Sequence, residues 1–301
     1  MNNSNNSSTI LVAGATGFLG NEICLQLIER NKKVKGLVRA SSDANKVAQL
    51  REVGVETVVG DLKDRASLEN ALQGVSAVIS TVSSTLSRQP GDSIQTVDDE
   101  GQVNLIDAAV AAGVGNFIFI SICPMQGEFP LQTAKRTVEK HLRASGLRYT
   151  VLQPTYFMEV WLSPALGFDY PNAKATIYGE GKNCLSWISI KDVASFAVAA
   201  LDNPASQNRI IELGGPEALS PLEVVNIFET EQGKKFDLQF VPEDALRAQK
   251  EGAQDPLSES FAVLMLGVAH GSEIDMTSTL DVYPMQLISV NDYAKKVSTH
   301  A

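Results

Sequence analysis

The stretch Ile10-Leu-Val-Ala-Gly14-Ala-Thr-Gly17-Phe-Leu-Gly20 leaves little choice about how this chain begins to fold. The apolar run Thr9 to Ala13 reads as a strand. A glycine turn follows, and an amphipathic helix, Phe18 to Arg30, opens at once with Leu19, Ile23, Leu27 and Ile28 on one face. Glycines three residues apart have separate tasks in such a unit. The first permits a tight turn off the strand, the second lets the backbone approach a pyrophosphate, and the third lets helix and strand pack closely. The pyrophosphate meets free N–H groups at the positive end of the helix. This order predicts a dinucleotide site with Gly14, Thr16, Gly17, Phe18, Leu19 and Gly20 around the phosphates.

The end of the next strand, Val34 to Val38, selects the cofactor. An NAD site places Asp or Glu about 20 residues beyond the glycines, to hold the ribose 2′-hydroxyl. Here Arg39-Ala-Ser41-Ser42 stands in that place. Arginine pairs a 2′-phosphate, and serine hydroxyls can support it, so Arg39 and Ser41 point to NADP(H). The alternative for Arg39 is a solvated loop charge. Asp43 reads as a helix N-cap.

Strands and helices then alternate: Val55 to Val59, Asp64 to Gln73, Ala77 to Thr81, Asp98 to Ala112, Phe117 to Ser121, Gln132 to Ser145 and Tyr149 to Gln153. That rhythm predicts an α/β fold, a Rossmann doubly wound parallel sheet built from right-handed βαβ units. Ligands of open α/β sheets lie at the carboxyl ends of the strands. Asp61, Leu62, Thr81, Val82, Ser83, Ser121, Pro154, Tyr156 and Phe157 are therefore expected around the cofactor. Asp61 accepts from the adenine amino group or else caps its turn. The polar loop from Ser84 to about Thr96 is longer than a simple connector and either shapes a substrate mouth or is merely mobile.

Residues 9–155 form the expected NADP-binding domain. Residues 156–301 form a smaller α/β lobe on the substrate side, packed on it as one compact body. The polar, low-complexity residues 1–8 read as a disordered tail. A formal net charge of −10 argues against nucleic acid or an anionic membrane as partner. No apolar run is long enough to cross a bilayer. The three cysteines, Cys24, Cys123 and Cys184, have no metal spacing and read as reduced thiols. A cytoplasmic protein, monomer or homodimer, without a metal, is the expectation.

One helix carries a charge in the wrong place for burial. Leu131, Lys135, Val138 and Leu142 have bearings of about 0°, 40°, 340° and 20°. All four share one narrow, otherwise apolar stripe that should face inward. Arg136, Glu139, Lys140 and Arg143 point elsewhere. Lys135 either snorkels its amine to water or aims it into the cofactor crevice, where it would bind the nicotinamide ribose or handle a proton. Aromatic residues at Phe157, Trp161, Phe168, Tyr170, Tyr178 and Trp187 would suit a flat, apolar substrate, or else ordinary core. His141, His270 and His300 form no local motif.

The Gly14–Gly20 run, Arg39, the lysine helix and Ser145-Gly-Leu-Arg-Tyr-Thr-Val-Leu-Gln-Pro154 together resemble the atypical short-chain dehydrogenase/reductase superfamily, and within it the NmrA-like branch. The resemblance spans about Thr9 to Val241. It implies isoflavone-reductase-like or quinone- and azo-reductase-like chemistry, an NADPH-dependent transfer of hydride to a conjugated or aromatic acceptor. The same branch includes NADP-sensing regulators that catalyse nothing and act through a protein partner. Ordinary members carry Tyr-x-x-x-Lys; Lys135 matches the lysine, but Leu131 replaces the tyrosine. Ser121 matches the superfamily's serine position. Catalytic roles then fall to Lys135, with Ser121 and Tyr156 as further candidates, Tyr156 being either a substitute acid or a wall of the nicotinamide pocket.

Overall fold

The computed structural model describes residues 8–86 and 89–299. Apart from Ser8, the predicted tail lies outside the described residues. The first half alternates β1 (Thr9–Ala13), α1 (Phe18–Glu29), β2 (Lys33–Val38), α2 (Ala44–Glu52), β3 (Glu56–Val59), α3 (Arg65–Ala71) and β4 (Val75–Ser80). A π-helical turn (Ile94–Asp99) then leads into α4 (Glu100–Ala111), β5 (Asn116–Ile120), α5 (Pro130–Ala144) and β6 (Arg148–Pro154). Side-chain caps start the short helices where the sequence placed them. Asp43 accepts from the Asn45 and Lys46 N–H groups, and Asp64 from those of Ala66 and Ser67.

After α6 (Met158–Trp161), β7 (Phe168–Asp169) and β8 (Lys174–Tyr178) come α7 (Ile190–Asp202), β9 (Arg209–Leu213) and α8 (Pro221–Gln232). Then follow β10 (Asp237–Val241), α9 (Glu243–Glu251), α10 (Pro256–His270), α11 (Thr277–Val282) and α12 (Val290–Ser298). Ser220 and Glu223 form a capping box at the start of α8. One feature differs from the sequence reading: the helix expected from Asp98 begins instead as the π turn.

Seven strands form one sheet in the order β3-β2-β1-β4-β5-β6-β9, and β1 through β6 pair in parallel. The chain reverses its direction of winding between β1 and β4. That switch point opens a crevice at the carboxyl ends of the strands. A second sheet, β10-β8-β7, joins β8 to β10 in parallel and β7 to β8 antiparallel.

The chain divides into two units, each assembled from separate stretches. The first comprises Met1–Ser121, Thr133–Leu152 and Ala194–Ile211. Its core joins Leu11, Val78, Leu105, Phe117, Phe119, Val138 and Leu142. The second comprises Ile122–Gln132, Gln153–Val193 and Glu212–Ala301. Its core is aromatic, with Phe168 edge-on to Phe228 at 4.9 Å and Tyr293 edge-on to Phe228 at 6.3 Å. Cys24, Cys123 and Cys184 pair in no disulfide with one another, and burial in α1 pushes the Cys24 thiol up to about 12. No helix among the described residues is long and apolar enough to cross a membrane.

Candidate functional site

The glycine turn has the close approaches its sequence demands. Gly14 adopts φ +86°, and a Cβ there would lie 2.5 Å from Thr81 Oγ1. A Cβ at Gly20 would overlap the Gly14 carbonyl oxygen, so helix and turn touch backbone to backbone. Thr81 Oγ1 donates to the Ala13 carbonyl at 3.0 Å, which stitches the end of β4 to the end of β1. Gly17 caps α1 without a side chain, so no capping side chain takes up the first N–H groups of the helix. This cradle fits a pyrophosphate. Leu19 and Leu62 are buried, whereas Phe18 is 67% exposed, with Lys46 Nζ 5.8 Å from its ring centroid.

The residues beyond β2 and β3 are more tightly engaged than the sequence suggested. Arg39 is not a free loop charge: its Nη1 donates to Asp92 Oδ2 at 2.6 Å. Ser42, rather than the exposed Ser41, organises the turn, with its hydroxyl accepting from the Arg39 N–H at 2.9 Å. Asp61 does what its capping alternative required, accepting from the Lys63 N–H at 2.9 Å. Ser83 donates to Thr85 Oγ1 at 3.2 Å in the loop beyond β4.

Lys135 is 3% exposed and does not snorkel. Its Nζ lies 3.2 Å from Asp98 Oδ1 and 5.1 Å from the centroid of the Phe119 ring. Asp98 is fully buried in the π turn. Its Oδ2 accepts from the Ser84 N–H at 2.8 Å and from the Ser84 hydroxyl at 2.5 Å, while no hydrogen bond reaches Oδ1. Lys135 thus supplies the charge that Asp98 Oδ1 faces. Ser84 lies just past β4 and Phe119 within β5, so the ammonium sits by the carboxyl ends of the two strands beside the switch point. A π turn spends an extra residue to re-aim a side chain. Here it turns Asp98 inward while Asp99 and Glu100 stay outside the core.

Ser121 is equally buried but faces other partners. Its hydroxyl donates to Glu139 Oε1 at 2.5 Å and accepts from Arg136 Nη1 at 3.3 Å, and Arg136 also pairs with Glu139. This corrects the expectation that Glu139 points away with the solvated charges, since it is 5% exposed. Its bearing borders the apolar stripe, and an ion pair plus a serine compensate its burial.

Pro154 ends β6, and Tyr156 and Phe157 belong to the second unit. Tyr156 is buried against α10, where a side chain at Gly267 would collide with its hydroxyl. The hydroxyl donates to the Leu264 carbonyl at 3.0 Å, and the ring stands edge-on to Trp161 at 5.0 Å. Burial first, and the neighbouring Cys123 thiol second, hold this phenol well above the usual tyrosine range.

The second unit contains a cleft of about 820 Å³, lined among others by Met125, Tyr156, Arg247, Gly267 and His270. His270, which no local motif singled out, shares a 3.0 Å hydrogen bond with Glu243 Oε2 at its edge. Of the aromatics expected to hold a flat substrate, Phe168 and Trp187 are core instead. Trp187 Nε1 donates to the Leu219 carbonyl at 2.9 Å, and both residues are at most 5% exposed. Among the described residues no cluster of three His, Cys, Asp or Glu side chains could hold a metal ion.

Known proteins share this organisation. The sequence profile of the NmrA-like family matches residues 6–293. The chain is 32% identical to the photosystem II assembly factor Ycf39 of Trieres chinensis, over 78% of this chain and 72% of that protein. It is 33% identical to the NAD(P)H azoreductase of Xenophilus azovorans, over 75% and 74%. The crystal structure of the NADPH-dependent quinone oxidoreductase QOR2 of Escherichia coli in complex with NADPH shares the fold. It superposes with a TM-score of 0.77 at 23% identity, covering 96% of this chain and 99% of that one.

Proposed function

Because the chain belongs to the NmrA-like family, we propose that it is an NADPH-dependent reductase whose acceptor is a conjugated or aromatic compound such as a quinone, an azo compound or an enone. The observation that carries this reading is the buried Lys135–Asp98 pair at the carboxyl ends of β4 and β5. A core needs no charge there, and burying an ion pair costs desolvation that only good geometry and further bonds offset. Placed where a dinucleotide binds, the pair has a task in positioning and charge stabilisation.

The glycine cradle and the start of α1 would hold the pyrophosphate, and Arg39 the 2′-phosphate. NADPH supplies the hydride when bound. Asp98, itself fixed by Ser84, keeps the Lys135 ammonium in one position. From there the ammonium would bind the nicotinamide ribose and stabilise the negative charge that develops on the acceptor as hydride arrives, directly or through a water that it orders. The proton that completes the reduction comes through the same group or from solvent. Tyr156 is a poorer donor, because its hydroxyl is committed to the Leu264 carbonyl and its phenol is hard to ionise. We assign it to the wall of the cleft in the second unit.

A second reading is a non-catalytic NADP(H)-binding regulator that acts through a protein partner. Leu131 at the tyrosine position favours it, as does kinship to a photosystem II assembly factor. The experiment that separates the two is NADPH oxidation by the purified protein against quinones, azo dyes and enones, with Lys135→Ala alongside. The reductase reading expects turnover that falls about 100-fold in the variant while NADPH affinity changes little. Tight NADPH binding without turnover on any acceptor would leave the regulator.

A further inference from the structure

The loop after β4 does more than connect. It delivers Asp92 between two cations at the ends of β2 and β3. The Asp92 side chain is 3% exposed; Oδ2 accepts from Arg39 Nη1 at 2.6 Å and Oδ1 accepts from Lys63 Nζ at 2.6 Å. Each oxygen of one carboxylate therefore takes a different cation. The cations themselves stay reachable, with side chains 34% and 30% exposed. Arg39 stands where a dinucleotide fold meets the 2′ position of the adenine ribose.

We propose that Asp92 is an internal surrogate for the cofactor's 2′-phosphate. It holds Arg39 and Lys63 as a two-pronged anion site, and NADP(H) must displace it in order to bind. The inference rests on the NADP(H) reading above and adds the residue that tunes it. A 2′-phosphate carries about −1.5 to −2 charge and three acceptor oxygens, so it outcompetes one carboxylate for the same donors. The two anions cannot share the site, because like charges at that distance repel. A 2′-hydroxyl has no charge with which to displace Asp92, so NAD(H) leaves the pairing in place. Asp92 therefore lowers affinity for 2′-phosphorylated nucleotides alone, and it fixes Lys63 as a second phosphate ligand beside Arg39.

Neighbouring bonds define what would move. Ser93 caps the π turn through Thr96, whose hydroxyl donates to the Gly91 carbonyl at 2.9 Å. Residues 91–96 form one small hydrogen-bonded unit, so displacement of Asp92 disturbs that unit rather than the sheet.

The test is calorimetric titration of the full chain with adenosine 2′,5′-bisphosphate and with 5′-AMP, which differ only in the 2′-phosphate, and with NADP⁺ and NAD⁺. Asp92→Asn is expected to bind adenosine 2′,5′-bisphosphate and NADP⁺ about tenfold more tightly, as removal of one competing charge-assisted pairing implies. Affinity for 5′-AMP and NAD⁺ stays the same. Lys63→Gln is expected to weaken the 2′-phosphorylated pair alone, by a similar factor. In the unaltered protein, amide hydrogen exchange at residues 91–96 should rise with adenosine 2′,5′-bisphosphate and not with 5′-AMP, a readout independent of whether either variant folds. Unchanged or weaker binding of the 2′-phosphorylated ligands by Asp92→Asn overturns the proposal, as does an equal gain for all four ligands. Failure of the unaltered protein to bind either dinucleotide would instead remove the cofactor reading, and this proposal with it.

Discussion

At Lys135 a single side chain links stability to the proposed chemistry. Removing one member of a buried ion pair leaves the other charged and unpaired, at a cost of about 3–5 kcal/mol. Lys135→Ala should accordingly destabilise the protein by about 3 kcal/mol in urea unfolding, because Asp98 Oδ1 then faces no cation. The double variant Lys135→Met with Asp98→Asn replaces the pair by neutral groups of similar size and should recover most of that loss. It should not recover turnover. If the double variant were as unstable as the single one, the pair would not be what the lysine contributes to the fold. The lysine was legible in the sequence as a charge on an apolar stripe. Its partner was not, since Asp98 reads locally as one of three acidic residues at a helix start. Only the π turn separates it from Asp99 and Glu100.

Elements carry the next scale. The β1 turn and α1 depend on contacts too close for any side chain, and Gly20→Ala forces its Cβ into the Gly14 carbonyl. That variant should lose about 2 kcal/mol and also the dinucleotide site, read as loss of NADP⁺ binding by calorimetry under conditions where it remains folded. The first turn of α7 makes a pH-dependent contribution. Burial raises the Asp192 carboxyl from 3.8 to about 6, and nearby Glu159 adds to this, although the Ile288 N–H donates to it and opposes the shift. The folded state holds this proton more tightly than the unfolded chain, so between about pH 4 and pH 6 stability falls as pH rises. Asp192→Asn keeps an acceptor for Ile288 and should flatten that slope, with at most about 3 kcal/mol at stake. Unfolding curves at pH 4, 5 and 6 would check it. A slope unchanged by the substitution would mean that Asp192 is already ionised in the folded protein below pH 6.

For the whole molecule the expected signature is selective stabilisation by its cofactor. A ligand that binds only the folded state, at a hundred times its Kd, adds about 2.7 kcal/mol. For a chain of 301 residues that corresponds to a rise in Tm of roughly 5 °C. NADP⁺ should produce this shift at concentrations where NAD⁺ produces much less, and Arg39→Ala should abolish the difference. Scanning calorimetry reads both. Equal shifts from the two nucleotides would mean that Arg39 and Lys63 confer no preference for the 2′-phosphate.

What the sequence determined by itself is what short-range physics writes into it. Strand and helix periods, helix caps such as Asp43, and glycines required by backbone contact all act over a few residues. They sufficed for a doubly wound parallel sheet, for the glycine turn between β1 and α1 and for Lys135 on an inward stripe of α5. What tertiary structure alone decided is which distant charges meet. Arg39 finds Asp92 across 53 positions of sequence, Glu139 reaches back to Ser121, and α5 places Lys135 on Asp98. The same holds for the assembly of each unit from separate stretches, and for the Tyr156 hydroxyl meeting α10. A charge has no period and a long reach, and burial makes it take whatever partner the folded chain brings within a few ångströms. The identity of that partner is therefore a property of the packed elements and not of any local pattern.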